Sequence, residues 1–110
     1  MYTILFLFTF SPAWLALSRA ERQRMQETHV QPLLDAHQTR VSASFCDAEA
    51  FTGRCSDFVV FQAQDLKDFY FFFEALRDTP LFSVPFLTVN DLIVGVQQGH
   101  QQYQQQLEEA

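Results

Sequence analysis

The chain has 110 residues, a length that suits one domain near the commonest domain size. Hydrophobic residues make up 48%, which excludes wholesale disorder, and 13 of its 17 aromatic residues are Phe, so the core is built from rings. A formal charge of −6 with a single Lys argues against a phosphate backbone as partner, and two Cys with three Gly exclude a disulfide scaffold, a Gly-rich phosphate loop and a four-Cys zinc site.

The first segment, Tyr2 to Phe10, reads as a strand with apolar residues on both sides: Tyr2, Ile4, Phe6, Phe8 and Phe10 on one, Leu5 and Leu7 between Thr3 and Thr9 on the other. The same apolar run has some of the look of a secretory signal, but no Lys or Arg precedes Arg19, and Pro12 and Trp14 break it too early to span a membrane. The expectation is a mature first strand in a cytoplasmic protein without membrane contact, with Cys46 and Cys55 as free thiols. Ser11–Trp14 is expected to be a loop. Ser18 and Glu21 form a capping box, which starts a helix over about 19–37 with Met25, His29, Leu33 and Ala36 as its apolar stripe and a kink or restart near Pro32.

Strands follow over about 40–47 and 55–62, joined by a long hairpin tip. Asp65 is an N-cap for a helix over 66–77, whose core stripe is expected to be Leu66, Phe69, Phe73 and Leu76, with Phe71 on the opposite side. Thr79-Pro80 ends it. A fourth strand is expected over about 83–89, with a second extended piece over 92–96 after the turn residues Asn90 and Asp91. The tail 97–110 carries seven Gln, yet Val96, His100, Tyr103 and Leu107 recur at helical spacing, so a terminal helix is expected.

The order β-α-β-β-α-β predicts an α+β, ferredoxin-like antiparallel sheet with both helices on one face. Such a sheet ordinarily alternates apolar-in and polar-out, whereas Leu5, Leu7, Phe58 and Val60 supply a second apolar face. The simplest cover for it is another copy of the same sheet, so a homodimer through the sheet face is expected.

Several runs carry a family resemblance: Pro12-Ala13-Trp14-Leu15, Asp47-Ala48-Glu49-Ala50-Phe51, Ser56-Asp57 and the stretch from Leu76 to Phe86. On these the chain resembles the darcynin family, small bacterial proteins of unknown function that are similar to dimeric α/β-barrel proteins. The resemblance implies the ferredoxin-like fold and the sheet-to-sheet dimer; it supplies no reaction.

Few polar groups can carry chemistry. Asp47, Glu49, Arg54 and Asp57 cluster about the hairpin, and if the strands pair across its tip, Asp47 and Asp57 become neighbours able to split their pKa values into an acid and a base. The plainer alternative is a solvated tip with Arg54 pairing one of them. His29, mid-helix among apolar residues, suits a general base, a metal ligand or a haem ligand, or else a core-edge histidine bonded to a carbonyl. Trp14 suits either a lid over the sheet edge or a ligand-stacking ring. The three His have no metal-ligand spacing, and neither a cofactor nor a metal is expected. Two functions fit these features: binding of a small apolar or aromatic molecule by a homodimer, with Trp14 and Arg54 as contacts, or a cofactor-independent oxygenase- or isomerase-like enzyme with His29, Asp47 or Asp57 as base.

Overall fold

A computed structural model describes residues 1–109. Four strands, β1 (Tyr2–Phe10), β2 (Val41–Asp47), β3 (Asp57–Ala63) and β4 (Leu87–Val96), form one antiparallel sheet in the order β2-β3-β1-β4. This is the ferredoxin-like arrangement, with the first strand and the third at its centre. Among the described residues no helix is long and apolar enough to cross a membrane.

The alternation of β1 decides how the layers stack. Ile4, Phe6 and Phe8 are buried and lie opposite Phe61, Val59 and Asp57 of β3, so all six share the side that faces the helices. The intervening Leu5 and Leu7 lie opposite Val60 and Phe58 on the other side and pack against no part of the core. Ile93 continues that second apolar face on β4, opposite Leu5.

The first helical region is less regular than its periodicity suggests. Pro12 opens a four-residue helix, α1 (Pro12–Leu15), where a loop was expected. Ser11 caps it, its hydroxyl accepting from the Trp14 amide at 3.4 Å and donating to the Pro85 carbonyl at 2.9 Å. The capping box at Ser18 is present in both directions and opens α2 (Arg19–Met25). The Ser18 amide and hydroxyl, with Arg24, hold the Glu21 carboxyl below its ordinary value.

A π-helical turn (Gln26–Val30) separates α2 from α3 (Gln31–Ala36). Pro32 has no amide proton to give the carbonyl four residues back, and the ladder slips so that the Gln31 amide donates to the Gln26 carbonyl. The expected kink is therefore a widened turn. Met25, His29 and Leu33 keep the predicted stripe at half burial, while Ala36 is exposed.

α4 (Leu66–Arg77) starts at the Asp65 cap, which accepts from the Lys67 amide at 2.9 Å. Its buried residues are Phe69, Phe72 and Leu76. This corrects the expected stripe: Phe72 is the buried ring, Phe73 is half-buried and Leu66 is exposed. Phe72 lies 5.4 Å from Phe61 between ring centroids, and Phe71 points outward as expected. Thr79 and Pro80 then open a short helix, α5 (Pro80–Ser83), where the fourth strand was expected to begin. Buried Thr79 donates its hydroxyl to the Leu76 carbonyl at 2.7 Å and so welds α5 to the end of α4.

β4 is one ten-residue strand, with the Asn90–Asp91 turn replaced by a register shift between Leu7 and Phe8 of its partner β1. The tail forms α6 (Gly99–Glu109), the terminal helix expected from its spacing.

Candidate functional site

Two layers that meet imperfectly create the site. No residue of α2, the π-turn or α3 is buried. Their apolar side chains stand off the sheet, and a cavity of about 330 Å³ remains between Met25, Gln26, Val30 and Leu34 above and the rings of Phe6, Phe8, Phe45 and Phe61 below. Phe72, Leu76 and Leu81 close it from the side of α4 and α5. Phe45 explains itself here: it sits on the helix side of β2, opposite Val59, yet is 57% exposed because it faces this space.

Trp14 forms one wall. Its ring stacks on Phe10 at 4.8 Å with 10° between planes and meets Phe86 edge-on at 5.6 Å. Arg22 fixes α1 from below, its guanidinium donating to the Trp14 and Leu15 carbonyls at 3.2 and 2.9 Å.

Asp47 and Asp57 are the only acidic residues of the lining. They are a directly opposed pair in the β2–β3 register and both point to the helix side. Ser56 holds the end of β3 in place. Its hydroxyl accepts from the Phe10 amide at 3.0 Å, and its own amide donates to the Phe8 carbonyl at 3.0 Å. Burial raises the Asp57 carboxyl above its ordinary value, the neighbouring Asp47 and Glu49 carboxylates push the same way, and the Ser56 hydroxyl opposes them. The ion pairs among the described residues are Arg40–Asp68 and Arg77–Glu74, so neither member of the dyad has a cationic partner.

Of the residues singled out from the sequence, Trp14, Asp47 and Asp57 come together around this one cavity. His29 does not join them. It is half-buried in a separate shallow groove lined by Leu17, Glu21, Arg24, Met25, Thr28 and Phe86. Arg54 is exposed on the hairpin tip, where its backbone amide donates to the Thr52 hydroxyl, and the solvated ion pair considered for it does not form. Both cysteines are free thiols, Cys55 buried and Cys46 half-buried. Among the described residues no three His, Cys, Asp or Glu side chains are grouped to hold a metal.

Phe45 and Gln26 were not singled out from the sequence, and Met25 only as part of the helix's apolar stripe. A signal existed for the first: Val41, Ala43, Phe45 and Asp47 alternate in phase, as do Asp57, Val59, Phe61 and Ala63, so each core stripe runs straight into a carboxylate.

The raised Asp57 carboxyl has a consequence for stability. Folding disfavours its ionised form, so the penalty is full above the folded-state pKa, shrinks as the pH falls below it and is gone below the lower, unfolded-state value. Asp57→Asn is therefore expected to raise the melting temperature by a few degrees at neutral pH, with no gain near pH 3, where parent and variant are both neutral at this position. Equal differences at the two pH values would show that the carboxyl is not disfavoured on folding.

A family model described as Darcynin, domain of unknown function, matches residues 1–108. A Darcynin of Chromobacterium violaceum is 39% identical over 72 residues, covering 66% of this chain and 91% of that protein. A Darcynin homolog of Streptomyces avermitilis is 35% identical over 98 residues, covering 89% of this chain and 80% of that protein. Among solved structures, the chain is similar to chlorite dismutase from Candidatus Nitrospira defluvii in complex with imidazole, with a TM-score of 0.76 at 20% identity over 86% of this chain and 39% of that one. It is also similar to a heme-binding protein from Thermus thermophilus, with a TM-score of 0.77 at 16% identity over 86% of this chain and 38% of that one. The chain thus spans about two-fifths of the length of those two structures, and at such identities the likeness is one of fold. With the family match running through both halves of the sheet, the cavity walls and the dyad strands, this chain belongs to the Darcynin family.

Proposed function

We propose that the protein works as a homodimer that binds a small aromatic molecule in the cavity beside Asp47 and Asp57. The cavity carries this reading: about 330 Å³ of space walled by rings, with two opposed carboxyls as its acidic groups. The Phe and Trp faces suit a flat apolar ligand through stacking. An ionised carboxylate accepts hydrogen bonds only, and the absence of Lys, Arg and His from the lining disfavours an anion. The favoured ligand is thus neutral or cationic, with a donor group such as an amine or hydroxyl directed at the dyad.

The fold neighbours raise haem as a candidate, and the residues here do not fit it. The lining contains no His, Cys or Tyr, Met25 being its one residue with iron-ligand chemistry, and two carboxyls without a cation would repel the propionates. His29 opens onto the other groove.

A second reading, the cofactor-independent enzyme, draws on the directly opposed Asp47 and Asp57 side chains at the cavity, with burial pushing the Asp57 carboxyl up. Two opposed carboxyls in unlike surroundings are the arrangement in which one group can donate a proton and the other accept one.

Trp14 is the single tryptophan and lines the cavity, so its fluorescence reports occupancy directly. Titration with a panel of small aromatic amines, phenols and carboxylates is expected to give saturable quenching with the first two only. Asp57→Ala is expected to weaken that binding roughly tenfold to a hundredfold, the range for losing a hydrogen bond to a charged group. Aromatic carboxylates binding as well as the amines, or no saturable response from any compound, would overturn the reading. Turnover of a bound compound, lost in Asp47→Asn, would favour the enzyme.

A further inference from the structure

We propose that the C-terminal arm, the distal half of β4 with α6, is an exchange element that packs onto a second copy of this chain. The inference rests on the two-copy reading above and assigns a separate surface to it.

The strand part of the arm stays paired with β1, but α6 is folded without support. No residue of α6 is buried, and Tyr103 and Leu107, one turn apart on one side of the helix, are 58% and 57% exposed. An isolated helix shorter than about 12–15 residues is marginal in water, and this one has 11, is Gln-rich, and ends in Glu108 and Glu109, which oppose its dipole. Its stability has to come from packing that its own chain does not provide.

The direction of the arm is nevertheless built. The Gln97 amide donates to the Met1 carbonyl at 2.9 Å, Gln98 takes a left-handed φ of 55°, and a Cβ at Gly99 would stand 3.1 Å from the Val96 side chain. These contacts aim α6 away from the body. The molecule measures 58 × 32 × 18 Å, with a Cα radius of gyration of 16.3 Å against about 13 Å for a compact chain of this length.

A matching seat lies on the same chain. Leu92, Val94 and Val96 share the helix side of the sheet with Phe6, Ile4 and Tyr2, yet all three are exposed; in β4 only Leu87 is buried. One chain therefore offers both an apolar helix edge and an apolar strand edge, and a two-fold axis fills both at once.

Area points the same way. A compact monomer of 12.8 kDa exposes about 6,300 Å². This chain exposes 7542 Å², an excess of about 1,200 Å², above the roughly 800 Å² that each partner gives to a standard stable interface.

Two measurements on the full-length chain test the exchange. The double variant Tyr103→Asp/Leu107→Asp is expected to raise the dimer dissociation constant at least tenfold in sedimentation equilibrium, with the core's thermal transition retained. A photoreactive benzophenone residue at position 107, in a mixture of isotopically heavy and light chains, is expected to give heavy–light cross-linked peptides mapping to β4 or α6 of the other copy. That readout holds even where the double variant fails to fold. Cross-links confined to one chain, or an unchanged dissociation constant in a folded double variant, would overturn the exchange. If the parent dimer dissociates on Leu5→Lys but not on the arm variant, the sheet-face dimer stands and the arm proposal falls. A parent chain that is monomeric throughout the micromolar range removes both.

Discussion

Replacing Phe72 with alanine is expected to remove about 3–5 kcal/mol of stability, the cost of deleting a buried ring and leaving a cavity. Phe72 is 1% exposed, sits 5.4 Å from Phe61 and 5.5 Å from His37 between ring centroids, and forms part of the site's wall. Folded domains have only about 5–15 kcal/mol to lose, so the variant should unfold at much lower urea than the parent. Phe71→Ala is the internal control. Its ring is 56% exposed and lies tilted against Tyr70 at the surface, so its loss should change stability by no more than about 0.5 kcal/mol. Equal costs for these adjacent phenylalanines would mean that α4 presents a different side to the sheet. A cost below about 1 kcal/mol at Phe72 would mean that the neighbouring side chains collapse into the vacated space.

The second large effect concerns the uncovered side of the sheet. Leu5 lies at its middle, between Val60 of β3 and Ile93 of β4. Leu5→Lys is expected to convert a homodimer into a monomer at micromolar concentration, a rise in dissociation constant of roughly a hundredfold or more. A charge buried without a partner costs several kcal/mol, and two-fold symmetry brings two of them into one interface. The monomer should keep its fold, because Leu5 packs against no part of the core. A Leu5→Lys protein that still sediments as a dimer would show that the sheet face is not the interface. The arm at residues 99–109 would then be the remaining candidate, tested separately above.

Both readings depend on how far local pattern carries. Alternation over Tyr2–Phe10 specifies a strand with apolar residues on both sides, because successive side chains of a strand point oppositely and nothing else places Ile4, Phe6 and Phe8 together. The Ser18 and Asp65 caps are legible for the same local reason: each satisfies amides within three residues of itself. The spacing of Tyr103 and Leu107 predicts α6. From these elements and their order the ferredoxin-like fold followed.

The phase of α4 did not follow. Five consecutive aromatic residues, Phe69 to Phe73, make every side of the helix apolar, so only docking on Phe61 and Val59 decides that Phe72 is buried and Phe73 half-buried. β4 runs unbroken past Asn90 because its hydrogen bonds to β1 override turn-forming residues, the mismatch being absorbed as a bulge.

The site divides along the same line. That Asp47 and Asp57 are neighbours was legible from a hairpin, since pairing across its tip brings them together. That they face a cavity was not, because the cavity is a gap between layers and belongs to no segment. It exists because α2, the π-turn and α3 stand off the sheet, and the position of that layer depends on contacts many residues apart: the Ser11 links to Pro85 and Phe86, and the hold of Arg22 on α1. His29 shows the reverse case. Its helical phase is as periodicity has it, between Met25 and Leu33, but the widened turn set by Pro32 and the packing of Phe86 put it on the groove outside the cavity. The residues alone determined the first three strands, the Ser18 and Asp65 caps and the element order, and so the fold; only the packing of one layer on another decided the course of β4, which rings are core, which carboxyls meet a cavity and which histidine does not, because those depend on distances between segments that no local pattern encodes.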